Sequence, residues 1–138
     1  MQNQSASTID EILRTCRTIA VVGASSNPAR PSNHVAGYMK AQGYRMIPVN
    51  PNETNILGES AYPSLGAIPG PIDLVDVFRK PEDVLPIVEE AIAKGAKAVW
   101  LQEGIVNDAA AARAKEAGLL VVMDRCWLKE HTARAGRG

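Results

Sequence analysis

The stretch Thr18-Ile19-Ala20-Val21-Val22-Gly23-Ala24-Ser25-Ser26-Asn27-Pro28 decides how the rest of the chain is interpreted. A run of apolar, mostly β-branched residues meets a glycine and then a turn of small hydroxylated residues. A helical pattern over Ser32–Gln42 follows. This order predicts a strand, a tight turn and a helix amino terminus. Exposed backbone N–H groups and the helix dipole suit such a corner to binding the pyrophosphate of a nucleotide.

Length and composition predict one domain over residues 1–138. A chain of 138 residues is close to the commonest domain size, and its 46% of hydrophobic residues is enough for a core. Fifteen basic residues balance fifteen acidic ones, so no net field would attract nucleic acid or an anionic membrane. No apolar run approaches the roughly 20 residues of a membrane-spanning helix. Neither nucleic acid nor a membrane is therefore a predicted partner.

The ends of the chain and its cysteines indicate the compartment. Residues 1–7 are polar and lack the basic start and apolar stretch of a signal peptide. We expect residues 1–7 and 132–138 to be flexible. The two cysteines, Cys16 and Cys126, form no disulfide framework, which is typical of a protein of the reducing cytoplasm.

Short apolar runs alternate with helical patterns along the chain. Five runs are typical of strands covered on both faces: Thr18–Val22, Arg45–Val49, Leu74–Phe78, Ala98–Leu101 and Leu119–Met123. Helices are predicted at Thr8–Cys16, Ser32–Gln42, Glu82–Lys94, Asn107–Ala117 and Cys126–His131. The segment Asn52–Pro71 is rich in proline and glycine, so we expect an irregular connection with at most one helical turn near Ser64–Ala67.

Alternation of strands and helices with short connections predicts right-handed crossovers and a parallel sheet. The predicted fold is α/β: a single Rossmann-like, three-layer domain with a five-stranded parallel sheet in the order 3-2-1-4-5. In such sheets ligands bind outside the carboxyl ends of the strands, at the switch point beside strand one. The residues predicted to lie at those strand ends are Gly23–Ser26, Asn50–Pro51, Phe78–Lys80, Gln102–Gly104 and Asp124–Cys126.

The turn departs from the dinucleotide-binding pattern G-x-G-x-x-G. Only the first glycine is present, at Gly23, and Ser25 and Pro28 occupy the other two positions. The second strand ends in Asn50-Pro51-Asn52, without the acidic residue that binds the ribose of NAD. Glu53 comes later, in a turn-prone region. These residues argue against a nicotinamide cofactor.

Several short motifs follow one another in a specific order and spacing. They are Val21-Val22-Gly23-Ala24-Ser25, Arg30-Pro31-Ser32, Gly43-Tyr44-Arg45, Ile47-Pro48-Val49-Asn50-Pro51, Asp76-Val77-Phe78-Arg79, Trp100-Leu101-Gln102 and Met123-Asp124-Arg125-Cys126. Together they resemble the small CoA-binding-domain family, whose stand-alone members are similar to the N-terminal domain of the succinyl-CoA synthetase alpha subunit. The resemblance covers about Ile12–His131, nearly the whole chain.

The resemblance implies a Rossmann-type domain that binds coenzyme A. The turn Gly23–Ser26 matches the CoA-binding loop of the family, and Asn50-Pro51 matches the strand end near the nucleotide. Gln102-Glu103-Gly104 matches the end of the fourth strand. The synthetase places a lysine shortly after its strand-two proline, whereas this chain has Asn52-Glu53. The chain ends before the second domain that carries the synthetase's phosphorylated histidine, so ligase chemistry is not carried over.

Because of that missing lysine, the cations for the phosphates must come from elsewhere. Coenzyme A carries a pyrophosphate and a ribose 3′-phosphate, and arginine makes paired, charge-assisted contacts with phosphate. Arg30, stiffened between two prolines, and Arg79, at the third strand's end, are the candidates; each is alternatively a solvated surface residue. Ser25, Ser26 and Ser32 are candidates to donate to phosphate oxygens, to cap the helix, or to do both, since the cap and the anion site are adjacent.

Two alternatives stay open for Gly23. It either lets phosphate approach the backbone or packs the first helix against the first strand. Cys126 lies at a strand end beside Asp124 and Arg125, where a cation would favour thiolate; we interpret it instead as a packed, inert cysteine.

The predicted cofactor is coenzyme A, and no metal ligands are predicted because no Cys/His spacing suggests them. The predicted cofactor-binding residues are Gly23, Ala24, Ser25, Ser26, Arg30, Ser32, Asn50, Pro51, Phe78, Arg79, Gln102 and Gly104. We find neither a nucleophile beside a base nor an acid–base pair, so no catalytic residue is predicted.

The sequence therefore favours a non-catalytic protein that binds CoA or an acyl-CoA, as a carrier or regulator. The alternative is a small enzyme or enzyme subunit that acts on a CoA thioester or another nucleotide with a partner chain. A protein partner or a second copy of this chain is compatible with either function.

Overall fold

A computed structural model describes residues 6–135 of the chain. Five parallel strands form the main sheet: β1 (Thr18–Val22), β2 (Arg45–Val49), β5 (Leu74–Val77), β6 (Ala98–Leu101) and β7 (Leu120–Met123). Two short strands, β3 (Asn55–Ile56) and β4 (Glu59–Ser60), pair as an antiparallel hairpin. The helices are α1 (Ala6–Thr15), α2 (Pro31–Ala41), α3 (Val84–Lys94), α4 (Asp108–Glu116) and α5 (Trp127–Ala135). Among the described residues, no helix is both long and apolar enough to cross a membrane.

The sheet is covered on both faces, which explains the continuous apolar runs of its strands. One face packs against α3 and α4, through residues such as Val88 and Ala114. The other face packs against α1, α2 and α5, through residues such as Ile12, Val35 and Trp127. The predicted three-layer, Rossmann-like α/β domain with a five-stranded parallel sheet is thus confirmed.

The predicted strand order, 3-2-1-4-5, is wrong. The observed order is β2-β1-β5-β6-β7, which is 2-1-3-4-5 when the main strands are counted along the chain. This is the other common order of doubly wound sheets, and its switch point lies between the first and third main strands. β5 therefore pairs with β1, through Ile19–Leu74 to Val22–Val77, and not with β2.

The connection between β2 and β5 runs along the outer edge of β2 before it reaches β5. Tyr62 forms a parallel bridge with Val49: its N–H donates to the Pro48 carbonyl at 3.0 Å and its own carbonyl accepts from Asn50 N–H at 2.9 Å. The outer edge of β2 is thereby occupied, and the next strand pairs with the free edge of β1. The predicted single turn of helix in this connection is confirmed as a 3₁₀ turn at Leu65–Ala67. The β3–β4 hairpin in the same connection was not predicted, because it has no clear pattern in the sequence.

The helix bounds differ from the predicted ones mainly at chain ends and prolines. α1 begins at Ala6 and α5 continues to Ala135, so helices include part of the two segments expected to be flexible; residues 1–5 and 136–138 lie outside the described part. α3 begins at Val84, after a 3₁₀ turn at Pro81–Asp83. Pro86 then falls in the first turn of α3, where a missing N–H leaves no helical hydrogen bond unmade.

One buried carboxyl group interrupts the apolar interior. Asp76 lies in β5 between Val21 of β1 and Trp100 of β6 and is 0% exposed. Within residues 6–135, neither of its carboxyl oxygens meets a hydrogen-bond donor. Burial raises the pKa of Asp76 well above its usual value, because removal from water disfavours the charged form.

The raised pKa of Asp76 predicts that the protein loses stability as the pH rises. The unfolded carboxyl releases its proton near its ordinary pKa of about 3.9. The folded carboxyl keeps its proton to higher pH. Its favourable contribution to the free energy of unfolding is therefore complete below the pKa of the unfolded state, and it is lost as the pH rises toward the pKa of the folded state. Asp76→Asn removes this titration. Urea denaturation from about pH 4 to 7 should show a smaller fall in unfolding free energy for the variant than for the wild type.

The matched control for this experiment is Glu90→Gln, which removes an exposed carboxylate on α3. This variant should keep the pH dependence of the wild type. Parallel stability curves for the wild type and Asp76→Asn would show that Asp76 does not titrate differently in the folded protein.

Candidate functional site

A cleft opens at the switch point, where the carboxyl ends of β1 and β5 lie side by side. Gly23 follows β1, and Phe78 and Arg79 follow β5. The Phe78 N–H donates to the Val22 carbonyl at 2.8 Å, so the pairing of the two strands continues to the edge of the cleft. In the predicted order, Arg79 would have followed a strand two positions away from β1. The observed order places it directly beside the turn.

The cleft has two lobes that share Gly23, Arg30, Phe78 and Arg79. The turn lobe, of about 550 Å³, lies toward β2; its other lining residues are Ala24, Ser25, Asn50, Pro51, Asn52, Glu53 and Lys80. The helix lobe, of about 330 Å³, lies toward β6, β7 and the start of α2; its other lining residues are Pro31, Ser32, Val35, Gln102, Glu103, Ile105 and Cys126.

Most of the predicted cofactor-binding residues line this cleft. Those that do are Gly23, Ala24, Ser25, Arg30, Ser32, Asn50, Pro51, Phe78, Arg79 and Gln102. Ser26 and Gly104 line neither lobe. The Ser26 N–H donates to the Glu53 carboxylate at 3.2 Å, and the Gly104 N–H donates to Asp124 Oδ1 at 2.7 Å. Both backbone groups therefore bond to carboxylates of the protein itself.

The serine-rich turn is held in shape by its own side chains. Ser25 Oγ accepts from the Asn27 N–H at 3.0 Å, and Asn27 Oδ1 accepts from the Ala29 N–H at 2.9 Å. Asn33, in the first turn of α2, donates its amide to the Ser25 carbonyl at 2.9 Å. Such side-chain bonds stabilise a turn in place of regular structure. The turn is thus presented to the cleft as a defined loop.

The alternative role of the serines as helix caps is wrong. The N-cap of α2 is Arg30, which makes no side-chain capping bond, and Pro31 occupies the first helical position. Ser32 lies inside the first turn of the helix and is buried. The amino end of α2 therefore faces the helix lobe without a serine cap.

Three cations line the turn lobe. Arg30 and Arg79 were predicted as candidates, and Lys80 joins them from the same strand end as Arg79. The Arg79 guanidinium lies 3.5 Å from the Asp83 carboxylate, with 43% of its side chain exposed. A pair this exposed contributes little and leaves the guanidinium able to turn toward a ligand.

The end of the fourth main strand has a structural role as well as a place in the cleft. Gln102 is 4% exposed, and its Oε1 accepts from the Trp127 N–H at 3.2 Å. This bond fixes the start of α5 to the end of β6. Next to Trp127, Cys126 is a free, partly exposed cysteine on the wall of the helix lobe.

Eight of the described residues that line the cleft are not in the predicted set: Pro31, Val35, Asn52, Glu53, Lys80, Glu103, Ile105 and Cys126. Lys80 and Cys126 lie at predicted strand ends, so their position in the sequence already indicates that they border the cleft. Val35 and Ile105 follow only from the packing of α2 and of the loop after β6. Glu53 has no local signal, because its position depends on how the loop after β2 folds back onto the β1 turn.

With this geometry established, comparison with known proteins identifies the family. The model of a family described as a CoA binding domain matches residues 17–132. This chain belongs to the CoA-binding domain family. The resemblance derived from the motifs is therefore confirmed.

Relatives of this CoA-binding domain include both stand-alone proteins and larger enzymes. It is 45% identical over 126 residues to the uncharacterized protein YneT of Bacillus subtilis, covering 91% of this chain and 93% of that one. It is 31% identical over 96 residues to an ADP-forming acetate–CoA ligase of Archaeoglobus fulgidus, covering 67% of this chain but 14% of the ligase. A solved structure of a hypothetical protein from Pyrococcus horikoshii is 44% identical with a TM-score of 0.93, covering 96% of this chain and 94% of that one.

Gly23 is essential to the geometry of the cleft. Its φ is +91°, and a Cβ there would lie 2.5 Å from the Phe78 carbonyl oxygen and 3.1 Å from Arg79 Cδ. The crowding thus comes from the end of β5. The three atoms nearest to that Cβ all belong to the end of β5 and none to a helix, so the structure does not support the alternative in which Gly23 packs the first helix against the first strand. A side chain at this position would displace the end of β5.

Gly23→Ala should therefore lower stability by more than backbone strain alone. Gly43 is the matched control, since its φ is +90° and a Cβ there would meet nothing within 4 Å. Strain at such a φ costs about 1–3 kcal/mol, which both variants share, and Gly23→Ala adds the clash with the Phe78 backbone. Chemical denaturation should show the larger loss for Gly23→Ala. Equal losses would mean that the Phe78 carbonyl moves aside freely.

Proposed function

We propose that this protein binds coenzyme A or an acyl-CoA in the switch-point cleft, without catalysing a reaction on it. The observation that carries the proposal is the open glycine turn at Gly23, flanked by Arg30, Arg79 and Lys80, in a chain that belongs to the CoA-binding domain family. The pyrophosphate would lie at the turn, where backbone N–H groups and cations favour it.

The chemistry of the two lobes supports an orientation for the ligand. The turn lobe holds the cations Arg30, Arg79 and Lys80 and suits the phosphates. The helix lobe includes the apolar side chains of Val35, Phe78 and Ile105. Apolar walls with a few polar groups are typical of sites for the organic part of a ligand. In this proposal the pantetheine arm therefore runs from the turn along the start of α2.

The proposed role is that of a carrier or regulator in acyl-CoA metabolism. Among the cleft residues that the structure describes, none forms a nucleophile–base pair. The alternative, an enzyme subunit that works with a partner chain, is favoured by one observation: the matching segment of the acetate–CoA ligase is 14% of that protein. Incubation with acetyl-CoA or succinyl-CoA, alone and with candidate partner chains, tests for turnover.

We further propose a cytoplasmic location and a small-molecule ligand as the main partner. Both cysteines are free thiols, which is typical of proteins in a reducing compartment. The balanced charge of the chain, with 15 basic and 15 acidic residues, does not favour nucleic acid as a partner. A second copy of the chain or another protein remains compatible with the proposal.

Coenzyme A should bind and NAD should bind less well. The turn lacks the second and third glycines of the dinucleotide pattern, since Ser25 and Pro28 stand at those positions. Isothermal titration calorimetry with CoA, dephospho-CoA, ADP and NAD measures the preference directly. Tighter binding of NAD than of CoA would contradict the proposal.

Arg79→Ala should weaken CoA binding while the domain stays folded, because Arg79 is partly exposed at the cleft. Loss of a hydrogen bond to a charged group costs about 1.5–3 kcal/mol, or roughly tenfold or more in affinity. Arg45→Ala is the matched control, since Arg45 is exposed at the amino end of β2, away from the cleft. Equal affinities of Arg79→Ala and Arg45→Ala would place Arg79 outside the ligand contacts.

A further inference from the structure

The turn that is proposed to bind phosphate already holds an anion that belongs to the protein. Glu53 lies in the loop after β2 and lines the turn lobe. Its Oε2 accepts from the Ser26 N–H at 3.2 Å and lies 3.4 Å from the Asn50 side-chain nitrogen, which also donates. Both donors come from segments predicted to bind the nucleotide, and both donate to one carboxylate oxygen.

Asn50 holds this carboxylate in place. Its amide nitrogen also donates to the Ala24 carbonyl at 2.8 Å, which ties the end of β2 to the turn after β1. Its Oδ1 accepts from the Asn52 N–H at 2.7 Å, which shapes the loop leading to Glu53. One side chain thus fixes both the turn and the loop, so the approach of Glu53 to Ser26 follows from the backbone arrangement.

A carboxylate and a phosphate compete for the same backbone donor, because both are anionic oxygen acceptors. We propose that Glu53 is an internal competitor of the ligand phosphate and sets the specificity of the turn. A ligand with a neutral acceptor does not displace Glu53, because the Ser26 N–H is already bonded to the charged carboxylate. A ligand with a diphosphate displaces Glu53, because it brings more negative charge to the lobe lined by Arg30, Arg79 and Lys80. This inference rests on the phosphate-binding part of the proposed function.

The test uses Glu53→Gln, which keeps the size of the side chain and removes its charge. Inorganic pyrophosphate is the probe for the turn and CoA is the probe for the whole cleft, each measured by calorimetry on the full chain. Replacing a charged competitor by a neutral one should tighten pyrophosphate binding about fivefold, since hydrogen bonds to charged groups are stronger than neutral ones by about 1 kcal/mol.

The matched control is Glu82→Gln, which removes a carboxylate from the same edge of the sheet at an exposed position in the 3₁₀ turn after Lys80. It separates a local competition from a general change of net charge. Glu82→Gln should bind pyrophosphate within about twofold of the wild type, a difference of about 0.4 kcal/mol. Thermal melting of all three proteins shows that each is folded.

The outcomes separate this inference from the proposed function. Tighter pyrophosphate binding by Glu53→Gln but not by Glu82→Gln supports the competition. An unchanged or weaker affinity in Glu53→Gln, the same gain in both variants, or no pyrophosphate binding by any of the proteins overturns it. Failure of both the wild type and Glu53→Gln to bind CoA overturns the proposed function, whatever the pyrophosphate result is.

Discussion

At the switch point the backbone of Gly23 passes so close to β5 that a Cβ would lie 2.5 Å from the Phe78 carbonyl oxygen. This approach is possible only for glycine, both because of the contact and because of the φ of +91°. It brings the turn after β1 and the end of β5 together as one wall. Two of the three described cations that line the turn lobe, Arg79 and Lys80, continue directly from Phe78 and are placed beside the turn by this approach.

The connection after β2 has consequences at both ends of the cleft. By bridging through Tyr62 it occupies the outer edge of β2, while β5 pairs with β1 and forms the switch point there. The same connection begins with the loop that turns Glu53 back onto Ser26. The bridge along β2 and the one carboxylate among the described residues of the turn lobe, Glu53, therefore both come from one irregular segment, which carries most of the chain's departure from a regular β–α alternation.

The interior is less uniform than its apolar strands indicate. Asp76 is buried on the sheet face shared with Leu74, since alternate residues of a strand point the same way, and that face packs against α1, α2 and α5. The indole nitrogen of Trp127 is buried in the same layer and, among residues 6–135, meets no acceptor. Buried polar groups of this kind lower stability unless they are satisfied. They lie in the layer that also carries the start of α2, beside the cleft.

The sequence by itself determined the five main strands and five helices of residues 6–135 and most of the predicted lining of the candidate site, but not the β3–β4 hairpin. Thr18–Val22, Arg45–Val49 and Ala98–Leu101 are predicted with the bounds that the structure has, because hydrophobic pattern and flanking glycines act locally. The rule that ligands bind at strand ends placed Gly23, Asn50 and Arg79 near one another without the correct order of strands.

Only the tertiary structure decided which edge of the sheet β5 would join. In the structure β5 pairs with β1, while the outer side of β2 carries the bridge Val49–Tyr62 between residues 13 positions apart. No local pattern encodes either pairing. The same reason applies to Glu53 and Ser26, whose contact spans 27 positions. Local sequence determines whether a segment forms a strand, a helix or a turn. Which segments then contact one another depends on the strand edges and hydrogen-bond donors that are still unpaired elsewhere in the chain.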